Sequence, residues 1–144
     1  MYSPAQPSLM NKSIKARTGI GSGKAFQFTN PKAVILFFNL DGFADAGDSV
    51  TIKVQVADTK LEPDWSAMDD DKLWTHCETI SSDSQSDVKS GTIGIVKTGV
   101  AVDGNYRYEV NVNGGNWFNV EVTVYTAGGS TTRTVSAYLS AYYA

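Results

Sequence analysis

One cysteine and one histidine occur in the 144 residues. Cys77 therefore has no internal disulfide partner, and it and His76 cannot supply the four ligands of a structural zinc site. Cation excess is missing too, with 12 Lys plus Arg against 15 Asp plus Glu and a net charge of -3. Phosphate neutralisation, the main source of nucleic-acid affinity, has no supply, so no nucleic-acid partner is expected. No apolar run approaches the roughly 20 residues of a membrane helix, so no membrane partner is expected either. Met1 to Thr29 contains no apolar stretch of about 7–15 residues that could form a signal-peptide core, so export by that route is not expected. No stretch of about a dozen residues spaces its apolar positions for a helix. Charged residues make up only 19% of the chain against 42% hydrophobic, a balance too apolar for disorder.

What is present is strand composition: Val, Thr and Tyr are plentiful, with 13 glycines to turn the chain. Ala33 to Leu40 (AVILFFNL) is a continuous apolar run, short enough for a strand covered on both faces. Val50, Ile52, Val54 and Val56 alternate with Thr51, Lys53 and Gln55. Leu73 to Ile80 and Thr92 to Lys97 read as further strands. Tyr106, Tyr108, Val110 and Val112 form one apolar phase and Phe118, Val120, Val122 and Val124 another, with Asn113-Gly114-Gly115-Asn116 between them as a hairpin turn. Ala127 to Ser130 turns the chain into a last strand where Val135, Ala137 and Leu139 share a face. A short strand around Lys24 to Phe28 brings the total to about seven or eight. The expected fold is all-β, a single β-sandwich of jelly-roll or Ig-like type, whose core is built from the apolar phases of the strands around Val54, Val110 and Val122. A length of 144 residues fits one domain.

Residues 1–24 carry Pro4, Pro7 and three glycines near Gly21, and lack periodicity over their first dozen positions. They read as an extended N-terminal arm preceding a domain at 25–144. A polar arm orders only where it lies on something, so it is expected to be an intermolecular contact element, with Tyr2, Leu9, Met10 and Ile14 as its contact residues.

Catalytic chemistry finds little to work with. His76 and Cys77 are adjacent, but neighbours on a strand point to opposite faces, which separates ring from thiol. There is no nucleophile elbow, phosphate loop or zinc-protease helix motif. Asp58, Glu62, Asp64, Asp69, Asp70 and Asp71 fall within fourteen residues, but their spacing matches no EF-hand, lacking its central glycine and terminal glutamate. The stretch is expected to be solvated and metal-free, anchored by Trp65 or Trp74; no cofactor is expected. Aromatics make up 11% of the chain. Trp117, Tyr125 and Tyr138 lie on phases opposite the expected core, and Tyr142 and Tyr143 close the chain. These five are candidate partner-binding residues, since Tyr and Trp are enriched at contact surfaces for proteins and sugars.

From Val34 to Tyr125 the order of features resembles small structural proteins encoded in tailed-bacteriophage virion gene clusters. The resembling residues are AVILFFNL, then SVTIKVQVAD with the acidic, Trp-containing EPDWSAMDDDKLW, then NYRYEVNVNGGNWFNVEVTVY. The resemblance implies a noncatalytic virion protein, a capsid decoration or head accessory component made in the host cytoplasm. Its implied partners are the major capsid protein, other virion proteins and copies of itself. A carbohydrate- or host-surface-binding sandwich module, or a head-to-tail or tail accessory protein, is the alternative.

Overall fold

The computed structural model describes residues 11–65, 74–81, 91–99, 102–128 and 132–143. These residues contain no helix and eleven strands: β1 (Asn11–Arg17), β2 (Gly21–Ser22), β3 (Phe26–Gln27), β4 (Ala33–Asp41), β5 (Ser49–Ala57), β6 (Thr75–His76), β7 (Thr79–Ser81), β8 (Ile95–Thr98), β9 (Gly104–Val110), β10 (Trp117–Thr126) and β11 (Thr134–Tyr142). Every pairing is antiparallel, and the strands form two sheets, one ordered β1-β11-β4-β9-β7 and the other β2-β10-β5-β6. In the second sheet β3 also pairs with β10, and β8 also pairs with β5.

The inner faces follow the alternation of the sequence. Val34, Leu36, Phe38 and Leu40 of β4, and Val135, Ala137 and Leu139 of β11, meet Val50, Ile52, Val54 and Val56 of β5 and Phe118, Val120 and Val122 of β10 in one core. Tyr108 and Val110 are buried there as expected, with Tyr106 and Val112 partly buried at its margin. The β4 run sits in the middle of its sheet, and Ile35, on the outer phase, is also buried.

Several expectations are corrected. The segment 106–124 is not a hairpin, because β9 and β10 belong to different sheets. The turn itself forms as its residues require: Asn113 and Gly114 take φ values of 51° and 69°, and the Gly115 N–H donates to the Val112 carbonyl at 2.8 Å. The Asn116 N–H then donates to Ala57 at 2.8 Å instead of continuing a ladder with β9. Each flank has a longer partner elsewhere, β9 along β4 and β10 along β5, so the turn spans the roughly 10 Å between layers.

The strand expected at 73–80 is likewise divided, with Thr75–His76 in one sheet and Thr79–Ser81 in the other. Val124, expected in the core, is exposed. The pairing of β10 with β5 shifts between Val122 and Val124, and the extra residue reverses the phase. Tyr125 consequently turns inward, packs edge-on against Phe43 at 5.8 Å, and donates its hydroxyl to the Arg133 carbonyl at 2.6 Å.

Residues 11–17 of the expected arm form a sheet strand. β1 pairs with β11, and Ile14 is buried at 3% exposure opposite Ala137. Its polar, single-hydrophobe sequence concealed this, since only Ile14 is needed to fill the core. Residues 21–22 pair with β10, so the boundary expected at 24/25 falls between two short strands of one sheet. Tyr2, Leu9 and Met10 lie outside the described residues.

One end of the sandwich is closed by charge. Buried Arg133 donates from Nε to Asp48 at 2.7 Å and from a terminal nitrogen to Asp45 at 2.6 Å. Asp48 also accepts N–H bonds from Ala44, Asp45 and Gly128, each at 3.0 Å, which ties the β4–β5 and β10–β11 connections together. The Arg133 hydrogen bond is the largest influence on the Asp48 carboxyl, opposed by burial and aided by the backbone donors of Asp45 and Gly128; its pKa falls to about 2. A carboxylate held below its usual 3.8 contributes stability above that value and loses it as the pH falls toward about 2.

Acid unfolding is expected to steepen between pH 4 and pH 2, and D48N should remove much of that steepening while lowering stability at pH 7. Circular dichroism against pH for both chains checks this. Ile14→Ala should cost about 2–5 kcal/mol in denaturant unfolding, because it empties a buried site. An unchanged midpoint would show that β1 does not contribute to the core.

Candidate functional surface

The outer face of the six-stranded sheet gathers residues far apart in sequence. His76 pairs with Gln55, and Gln55 with Asn119, so these three form one row across β6, β5 and β10. Gln55 and Asn119 are buried although they face away from the core, and Asn119 Nδ2 donates to Gln55 Oε1 at 3.3 Å. Trp117 pairs with Ala57 and Gln27 beside this row, and Lys53 pairs with Glu121 below it. Glu121 Oε1 lies 3.6 Å from His76 Nε2. At the other end of the face, Val96 and Val124 are both register partners of Thr51, giving a Val96–Thr51–Val124 row across three strands. Val96 is 51% exposed and Val124 42%, while Thr51 between them is covered.

Polar groups on and beside this face lack partners. Gln55 Nε2 and Trp117 Nε1 on the face, and Thr123 Oγ1 at the β10 phase shift, are buried without a hydrogen bond. Such groups are uncommon, because an unpaired buried donor costs about 1–3 kcal/mol.

Trp74 packs edge-on against His76 at 5.1 Å and meets Trp65 at 6.3 Å, and Trp65 donates its indole N–H to Glu62 at 3.0 Å. Trp74 is buried, so it anchors the acidic segment through its tilted contact with Trp65. Asp69, Asp70 and Asp71 lie outside the described residues. Among the described residues no group of three or more His, Cys, Asp or Glu side chains is placed to hold a metal.

The five aromatic candidates do not form one site. Trp117 is half-buried on the outer face just described, and Tyr125 points into the core margin. Tyr138, half-buried, lies on the other sheet with Lys12 5.0 Å from its ring. Tyr142 ends β11, and Tyr143 packs partly against the core. Ile14 is in the core, unavailable to a partner while the sandwich is folded. Sequence reading missed the Val96–Thr51–Val124 row because Val124's phase depends on the shift in β10 pairing. It missed the Gln55–Asn119 pair because neither amide carries a motif.

His76 and Cys77 diverge as the strand geometry requires. Burial is the main cause lowering the His76 pKa, reinforced by Lys53 and opposed by Glu121. Cys77 sits in the core, where burial pushes its thiol up to about 12. The thiolate, the reactive form, is therefore scarce at neutral pH. Comparison with protein-family models, curated proteins and solved structures finds no match.

Cys77 should resist a thiol-specific reagent at pH 7.5 in the native chain and react fully once the chain is unfolded in guanidinium. Rapid labelling of the native protein would show that the β6–β7 crossing opens.

Proposed function

We propose that this chain is a noncatalytic structural protein of a tailed-phage particle, a capsid decoration or head accessory protein that works by docking on capsid subunits. The observation that carries the reading is the Val96–Thr51–Val124 row on the outer face of the six-stranded sheet, continued through Lys53 and Glu121 to the half-buried Trp117. Interfaces between proteins combine exposed apolar side chains, aromatic anchors and polar groups that find their partners only on association. The exposed Val96 and Val124 and the half-buried Trp117 ring fit that description.

The strand order supports the reading. β1-β11-β4-β9 faces β2-β10-β5-β8, with the main strands crossing from sheet to sheet along the chain. We read this as a jelly roll with β6 and β7 inserted between β5 and β8, an architecture used by viral capsid domains and lectins. The inert thiol of Cys77 and the Trp-packed His76 favour a role without catalysis. Docking of many copies stabilises a shell by mass action, since bound copies favour the assembled state. Residues 1–10, immediately before edge strand β1, are a second proposed contact, to capsid proteins or to further copies of this chain.

Particles lacking the protein should assemble but open at a lower temperature than complete ones. Added wild-type chain should restore the higher value, whereas V96E and V124E chains, which keep their own melting temperature, should not. Equal robustness of particles with and without the protein would overturn the cement role.

A further inference from the structure

At the end of the sandwich opposite Arg133, the β3–β4 connection, the chain leaving β5 and the β9–β10 turn enclose a cleft of about 360 Å³. That lies within the roughly 300–1,000 Å³ range of small-ligand sites. Its walls are fixed by Asn116. The Asn116 side chain accepts from the Thr59 N–H at 3.1 Å and donates to the Thr59 carbonyl at 3.0 Å. Its backbone N–H donates to Ala57 and its carbonyl accepts from Phe28, both at 2.8 Å. One residue thus locks all three segments. Gly115 packs so closely that a Cβ there would collide with a Val56 methyl, so this wall admits no larger residue.

Around that fixed frame stand exposed polar side chains. Gln27, Thr29, Asn30 and Asp58 line the cleft, and none of the four side chains has a hydrogen-bond partner among the described residues. Pro31 and Val112 supply apolar surface between them. Among the described lining residues Asp58 is the single charged side chain, which disfavours an anion. Two amides, a hydroxyl and a carboxylate offer closely spaced donors and acceptors, the complement of adjacent hydroxyl groups. The small apolar patches suit the C–H face of a sugar ring.

We propose that this cleft binds a neutral saccharide. Gln27 and Asp58 hold ring hydroxyls, Thr29 and Asn30 close the rim, and the site operates independently of the outer-face docking surface. Its rigidity comes from the Asn116 bonds, so binding needs no rearrangement of the loops.

The test is an amide NMR titration of the full chain with glucose, N-acetylglucosamine, maltotriose, cellotriose and triacetylchitotriose, each up to about 50 mM, where a Kd near 10 mM still registers. Saturable shifts at 27–30, 58 and 112–116 with at least one saccharide are expected. Q27A and D58A should each weaken binding about tenfold, the loss expected for a hydrogen bond, with melting temperature unchanged. V124E should bind the sugar as wild type does, so a failure of the docking reading is distinguishable from a failure of this one. No saturable shift with any of the five saccharides overturns the proposal. So does binding that survives in Q27A/D58A, or the same shifts produced by calcium chloride alone.

Discussion

The contact between Arg133 and Asp48 holds the architecture at its most demanding point. Four connections cross between the sheets at that end, and Asp48 ties three of them together, those after β4, after β8 and after β10. Asp48 joins the first to the third through its carboxylate, and its carbonyl accepts from Gly99 of the second at 3.0 Å. Asp103 completes the arrangement by accepting from Gly42 and Phe43 at 3.0 and 2.7 Å. An unpaired buried charge would be strongly unfavourable, so the guanidinium and carboxylate are each tolerable only in the other's presence. The backbone donors around Asp48 then satisfy groups that crossing loops would otherwise leave without partners.

The opposite end uses no charge for the same purpose. Asn116 ties its three segments with four neutral hydrogen bonds, leaving the neighbouring polar side chains free. The contrast follows from what each end buries. The Arg133 side chain enters a closed corner against Asp48 and Asp45 while its carbonyl accepts from Tyr125, whereas the Asn116 end stays open around a cleft. A closed end suits structure and an open, preorganised one suits recognition. Between them, the shift after Val122 exposes Val124 and turns Tyr125 toward the closed corner, linking outer-face chemistry to core packing.

Period-two alternation made much of the core legible. Val50 to Val56, Phe118 to Val122 and Val135 to Leu139 bury the faces their spacing predicts, because one apolar face per strand leaves little choice of phase. The same logic failed at Val124, where one extra residue reverses it. The Asn113-Gly114 signal correctly gave the turn, but a local turn does not determine whether its flanks pair with each other or with longer partners. β1 was obscured by polarity, since an edge strand buries only part of one face. The outer-face row and the cleft were illegible for a different reason. They depend on register between strands remote in sequence, such as Val96 with Thr51 and Gln27 with Trp117. The aromatic candidates illustrate the converse: composition flagged them, and the fold dispersed them.

The central claim is that the outer face of the six-stranded sheet is a docking surface on a phage particle. Its most direct test is an image reconstruction of purified particles of the phage that the proposal takes to encode this chain, at a resolution that places side chains. The account predicts the domain at regular positions on the head, with Val96, Thr51, Val124 and Trp117 against a capsid subunit. Absence of the chain from the particles, or its presence with that face turned to solvent, would contradict it.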